Sequence, residues 1–223
     1  QQSVSLPTQL NLHDMKQILL SVTILCCMAI TLCAQTASKP YAKSIAKHRK
    51  EYRKDFLTNE RSPLKEKEEL KSLRFYEPDE RYRVEATVQV LEGETPFDMA
   101  TYAGTTKPYI RYALLKFELM GKPLELTLYR NLQMAKMPQY KDHLFLPFMD
   151  ATNGEATYGG GRYMDFKITD IVAGKMTIDF NKAYNPWCAF SDGYQCPIPP
   201  FDNHLGEAIE AGEQQYAKEK KHR

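Results

Sequence analysis

Tyr82-Arg83-Val84-Glu85-Ala86-Thr87-Val88-Gln89-Val90 alternates without a break. Tyr82, Val84, Ala86, Val88 and Val90 fall on one side of that run, which is the period-two signature of a strand with one buried face. Further strand candidates recur at short intervals, over 96–100, 107–119, 124–129, 144–148, 161–168 and 175–180. Met120-Gly121-Lys122-Pro123 is a tight-turn sequence, so the strands on either side of it should pair as a hairpin. Short strands joined by Gly- and Pro-bearing turns predict an antiparallel β-sandwich or a partly open barrel.

The period changes on both sides of this region. Tyr41, Ile45, His48, Tyr52 and Phe56 recur at spacings of three and four, an amphipathic helix whose outer face carries Lys43, Lys47, Arg49, Lys50, Arg53 and Lys54. A basic face of that kind is either solvated or makes weak contact with an anionic membrane surface. Pro63 opens a second short helix over 64–73. Leu205, Ile209, Gly212 or Glu213, and Tyr216 predict a last helix over 205–218. The fold class is therefore α+β, mainly antiparallel strands with flanking helices at the N-terminal and C-terminal ends.

The 223 residues are 43% hydrophobic and 26% charged, enough for one well-buried domain. It joins a helical segment, 35–74, to a β-rich segment with its C-terminal helix, 75–223. Thirty basic residues against 28 acidic ones leave a formal net charge of +2, without the strong basic excess of a nucleic-acid partner.

Met15-Lys16-Gln17 precedes a run without charge from Ile18 to Cys33, and then Ala34-Gln35-Thr36-Ala37-Ser38. These are the parts of a secretory signal peptide over 15–34, and the run is short for a membrane span of about 20 residues. Cleavage is expected after Ala34; the bulk of Leu32 also admits a cut a few residues further on. Lipid on Cys33 or Cys26 would want a small residue ahead of the cysteine, where both have Leu. Residues 1–14, ahead of Met15, read as upstream sequence outside the domain. The expected location is the periplasm or cell envelope, with Cys188 and Cys196 as the two cysteines kept.

One stretch fits neither period. Asp179-Phe180-Asn181-Lys182-Ala183-Tyr184-Asn185-Pro186-Trp187-Cys188-Ala189-Phe190 is followed closely by Tyr194-Gln195-Cys196-Pro197-Ile198-Pro199-Pro200, and it holds the only Trp. It is too rich in aromatic residues to be a disordered linker, so it should be an ordered loop of the kind that carries function. Together with Arg53-Lys54-Asp55, Ser62-Pro63-Leu64, Asp150-Ala151-Thr152-Asn153-Gly154, Thr157-Tyr158-Gly159-Gly160-Gly161-Arg162-Tyr163, Asn203 and Ala211-Gly212-Glu213, this stretch resembles bacterial and archaeal proteins of domain-of-unknown-function family 1684. The resemblance spans nearly the whole chain after residue 34. It implies a single domain with a shared site, and no reaction, cofactor or metal.

The candidate residues have rival readings. Gly159-Gly160-Gly161 opens a strand rather than a helix, so it suits a close backbone approach better than a phosphate cradle. Arg162 either pairs with Asp165, Asp179 or Glu213 to hold the loop, or anchors an anionic ligand from a cleft. Cys188 and Cys196 form a disulfide, remain buried thiols, or serve a metal or a reactive thiol. Asp150, Asp179 and Glu213 offer carboxylates for acid–base or metal work, although Asp150 to Gly154 reads equally as a turn. The expected function is binding of a small anionic molecule in a polar-aromatic pocket of Tyr158, Arg162, Asp179, Asn181, Tyr184, Asn185 and Trp187. The alternatives are a metal- or thiol-dependent envelope hydrolase using Asp179 or Cys188, and a purely structural envelope protein whose loop ties the last helix to the sheet.

Overall fold

All seven expected strands form, and they join a single curved antiparallel sheet. The structure, a computed structural model, describes residues 37–222; the signal segment 15–34 and Cys26, Cys27 and Cys33 lie outside them. The strands are β1 (Arg83–Val90), β2 (Phe97–Ala100), β3 (Thr106–Leu119), β4 (Lys122–Asn131), β5 (His143–Phe148), β6 (Arg162–Lys167) and β7 (Lys175–Asp179). Their hydrogen-bonded order is β6-β5-β4-β3-β1-β7, with β2 also paired to β3. The β3–β4 turn forms as expected: Leu119 pairs with Lys122, and Met120 and Gly121 take φ of 51° and 80°. Positive φ at both central residues matches the turn's twist to that of the strands.

No second sheet packs on this one among the described residues, so the architecture is a half-barrel and not a sandwich. Among the described residues, β6 pairs with no strand on its free edge; Tyr163 instead exchanges backbone hydrogen bonds with Tyr184, in the segment after β7, at 2.9 and 3.0 Å. Beyond that point the seam between β6 and β7 stays open. One face of the sheet is the main core: Leu115, Leu126, Leu128, Leu144, Leu146 and Ile178 are fully buried there. Burial of each stabilises the fold by roughly 1.5–3 kcal/mol relative to exposure. The other face carries Tyr109, Tyr129, Phe145 and Tyr163, packed against Cys188 and Cys196.

A bulge in β3 assigns its residues to these two faces. The register shifts between Arg111 and Ala113, so Tyr112 is the extra residue. Odd-numbered residues after it, Ala113, Leu115 and Phe117, enter the main core, whereas Tyr109 before it packs on the opposite face. An inserted residue reverses the alternation of everything on one side of it. Lys107 lies two positions before Tyr109 and shares its face.

Helix α1 (Lys39–Thr58) starts with Pro40 in its first turn and ends at Asn59, whose N–H bonds the Asp55 carbonyl at 2.9 Å. Ile45 and Phe56 are its buried residues, and Phe56 meets the Phe190 ring edge-on at 5.4 Å. Lys43, Lys47, Lys50 and Lys54 are exposed as expected, whereas Arg49 and Arg53 are half-buried, because their guanidinium groups stack over the Phe75 ring at 4.7 and 5.0 Å. The second helix is shorter than expected, with α2 covering only Lys67–Leu70. The Glu69 carboxylate takes the Lys65 and Glu66 N–H groups at 2.8 and 3.1 Å and so fixes the helix start there. No described helix is long and apolar enough to cross a membrane.

The C-terminal helix over 205–218 does not form. That segment runs as an irregular strap whose backbone groups bond neighbouring segments: Leu205 to Met149, Glu213 to Ala183, Gln214 to Arg74 and Ala217 to Ser72. Gly212 turns it at φ +78°, where an added Cβ would lie 2.6 Å from the Phe180 carbonyl. Leu205, Ile209 and Ala211 still enter the main core. The apolar residues were the right ones to bury, but tertiary hydrogen bonds replace the helical ladder.

Candidate functional site

A cleft of about 1190 Å³ opens at the unclosed seam, bounded by α1, the facing edges of β6 and β7, and the loop that carries the two cysteines. His48, Glu51, Tyr52, Asp55 and Phe56 lie at helical spacing, so one face of α1 forms a wall. Tyr163 and Asp165 come from β6, Thr177 and Asp179 from β7. Trp187 and Tyr194 come from the loop, where their rings meet edge-on at 5.3 Å. Cys188 and Cys196 pair as a disulfide with Cα atoms 6.2 Å apart, and Cys196 reaches the cleft wall.

Arg61, Arg83, Lys107 and Lys182 supply positive charge to this wall; Lys182 pairs with Asp179, and the other three make no ion pair with an acidic side chain among the described residues. Lys107 is half-buried; burial lowers its pKa, and the neighbouring Arg61 charge lowers it further. Glu51 and Asp55, opposite on α1, are exposed and have no basic partner among the described residues. Asp179 accepts from the Tyr41 hydroxyl at 2.8 Å and lies 3.7 Å from the Lys182 ammonium. Asp165 accepts from the Tyr184 hydroxyl at 2.5 Å and meets His143 Nε2 at 2.8 Å. Partial burial, then the Lys182 charge, lowers the His48 pKa from its ordinary value.

Of the seven residues expected in the pocket, Asp179, Tyr184 and Trp187 line this cleft, and Tyr158, Arg162, Asn181 and Asn185 do not. Arg162 points to the main-core side, opposite Asp165, and its side chain is fully buried. It pairs with Asp150 at 2.7 Å and donates to the carbonyls of Ile209 at 2.8 Å, Ala211, and Glu213 at 3.4 Å. Three carbonyls of the strap, on either side of the Gly212 turn, thus converge on one guanidinium. This corrects both expectations for Arg162: it anchors no ligand from a cleft, and its acidic partner is Asp150.

The remaining residues also bond the fold. Asp150 keeps its turn as well as its ion pair, accepting from the Thr152 N–H at 2.9 Å and hydroxyl at 2.6 Å. Asn181 exchanges hydrogen bonds with the Asp79 backbone, each at 2.8 Å. Asn185 donates its side-chain amide to the Gln214 carbonyl at 2.8 Å. Tyr158 is half-buried beside Phe190 and Tyr216. Gly161 permits the close approach expected of it, since an added Cβ would lie 2.6 Å from the Phe148 carbonyl.

Behind the α1 wall lies a fully buried carboxyl. Glu213 accepts from the Tyr52 hydroxyl and the Asn185 N–H, both at 2.8 Å on the same oxygen, while its Oε1 and the Asn185 Oδ1 have no hydrogen-bond partner among the described residues. Burial pushes its pKa up to about 8, against the opposing pull of those two bonds and the Arg162 and Arg53 charges. Asp150, Asp179 and Glu213 therefore occupy three separate environments. The described residues contain no group of three His, Cys, Asp or Glu side chains suited to a metal ion.

A family model described as "Protein of unknown function (DUF1684)" matches residues 68–214. The chain belongs to the DUF1684 family. The matched span of this DUF1684 protein covers the sheet, the cysteine loop and most of the strap; α1 and Arg61 lie ahead of it. The chain is also similar to the solution NMR structure of an uncharacterised protein from Haloarcula marismortui. That likeness has 36% identity and a TM-score of 0.60, covering 79% of this chain and 95% of the other. Among curated proteins none matches this sequence.

Sequence reasoning missed Arg61 and Lys107, which carry no local motif and meet only through the fold. Tyr52 and Tyr194 had a signal: one lies on the helical stripe and the other beside the cysteines.

Proposed function

We propose that this is an exported envelope protein that binds a small anionic molecule in the seam cleft, with Arg61 and Lys107 as its anchors. The supporting observation is the placement of cationic side chains without acidic partners among the described residues, Arg61, Arg83 and Lys107, in the wall of an aromatic-lined cavity. Half-buried Lys107 and exposed Arg61, both without a counter-charge among the described residues, gain from an anion that enters. A cavity with convergent polar groups is the default site for a small ligand. The cysteine pair suits an oxidising compartment, in keeping with the proposed export.

The hydrolase alternative draws no support from this arrangement, because the Cys188 thiol is taken up in the cysteine pair and no three-ligand metal set is available among the described residues. The structural reading retains one specific observation: Arg162, Asn185 and Gly212 tie the strap to the sheet. That accounts for the strap and leaves the cleft unexplained.

Ligand-induced stabilisation tests the proposal, since a ligand at 100 times its Kd should stabilise the native state by about 2.7 kcal/mol. The unfolding temperature of the full chain should rise with organic monoanions, and the rise should vanish in Lys107→Met/Arg61→Gln although that variant remains folded. An unfolding temperature insensitive to every anion, or raised equally in the variant, would sink the proposal.

A further inference from the structure

We infer that the cleft takes a monoanion with a flat aromatic body, an aromatic carboxylate of about two fused rings. This rests on the anion-binding reading and adds the chemistry of the rest of the ligand. Tyr52, Tyr163, Tyr184 and Tyr194 line the cleft, and each donates its hydroxyl proton within the protein. The acceptors are the Glu213 carboxyl, the Pro197 carbonyl, the Asp165 carboxylate and the Arg61 carbonyl respectively.

With those protons committed, the four side chains offer a ligand ring carbon and hydroxyl lone pairs, but no phenolic donor. Tyr52, Tyr184, Trp187 and Tyr194 are half-buried, so their rings remain partly accessible. Aromatic surfaces of this kind favour a second aromatic ring through edge-to-face or offset stacking.

Charge selects the other end of the ligand. Arg61 and Lys107 want one anionic group, while Glu51 and Asp55 stand in the α1 wall without basic partners and repel further negative charge. Asp165, Asp170 and Asp179 add acidic side chains that are already hydrogen-bonded. A dianionic phosphate monoester or a polyphosphate meets that repulsion; a carboxylate, with a single charge, meets the least of it. The cavity volume, about 1190 Å³, is large for one ring and suits a fused system.

Trp187 is the only Trp in the sequence and lines the cleft, so its emission reports occupancy directly. The test is calorimetric titration of the full chain with acetate, cyclohexanecarboxylate, benzoate, 2-naphthoate and 2-naphthyl phosphate, with Trp187 emission followed in parallel for the non-absorbing members. We expect benzoate to bind more tightly than cyclohexanecarboxylate, and 2-naphthoate about tenfold more tightly than benzoate. The phosphate should bind more weakly than 2-naphthoate. Lys107→Met, and separately Arg61→Gln, should each weaken 2-naphthoate at least about tenfold without changing the unfolding midpoint.

If acetate or cyclohexanecarboxylate bound as tightly as 2-naphthoate, with the same dependence on Lys107 and Arg61, anion binding would stand and the aromatic body would be wrong. Tighter binding of 2-naphthyl phosphate would overturn the monoanion. Absence of binding by every carboxylate and phosphate, or binding indifferent to both variants, would overturn this inference together with the anion-binding reading.

Discussion

Arg162 and the pair Arg61–Lys107 are the same kind of residue in opposite settings. Arg162 is fully buried, with an acidic partner and strap carbonyls around it. Arg61 and Lys107 border a cleft and have no acidic partner among the described residues. A buried cation surrounded by protein acceptors holds segments together, because removing it leaves those acceptors and a counter-charge without water. A cation left uncompensated at a cavity is instead available to something that is not part of the chain. The residue type does not distinguish these cases; its surroundings do.

The sharpest way to break this contrast is Arg162→Ala. It leaves Asp150 buried without its cation and deprives the strap of its anchor, so the loss should be about 3–5 kcal/mol in urea unfolding. A change below about 1 kcal/mol would show that Arg162 does not secure the strap. Lys107→Met provides the comparison, with an expected change within about 0.5 kcal/mol.

Glu213 gives the next largest effect, and it depends on pH. The folded carboxyl holds its proton up to about pH 8, against an ordinary value of 4.5. Its favourable linkage contribution is therefore full below about pH 4.5 and is lost as pH rises through about 8. Glu213→Gln stays neutral and keeps an acceptor for Tyr52. Relative to that variant, the wild-type protein should lose on the order of a few kcal/mol between about pH 5 and pH 9. Parallel stability curves for the two proteins would mean that Glu213 titrates normally. Arg162, Arg53, Tyr52 and Tyr184 surround this position, so the curves should be compared at matched ionic strength.

The smallest of these effects is at the cysteines. Opening the short loop between Cys188 and Cys196, by reduction or by Cys188→Ala/Cys196→Ala, should lower stability by about 2–3 kcal/mol. It should also shift Trp187 emission, because Trp187 adjoins Cys188 and packs on Tyr194 inside the same loop. Unchanged stability and emission would show that the cleft wall does not depend on this cross-link.

The strands were readable from the sequence because alternation and turn residues are local: Tyr82 to Val90 needs only its own pattern, and Met120-Gly121 only its own backbone freedom. The stripe of α1 was readable for the same reason. Its neighbours were less so, since Glu69 sets the start of α2 through a side-chain contact that composition does not reveal. Within the site, the loop around Trp187 stood out by its aromatic content, whereas Arg162 and Asn185 drew attention for a role they perform in the strap and not in the cleft.

The sequence by itself determined which segments alternate, which face of α1 is apolar, and which loop is too aromatic to be a linker. Only the tertiary structure decided that 205–218 lies as a strap, because its backbone partners come from distant segments. The β3 bulge at Tyr112 likewise decided that Lys107 shares a face with Tyr109 and not with Leu115. Periodicity records how neighbouring residues alternate, but an inserted residue and a distant hydrogen-bond partner determine where that alternation finally points.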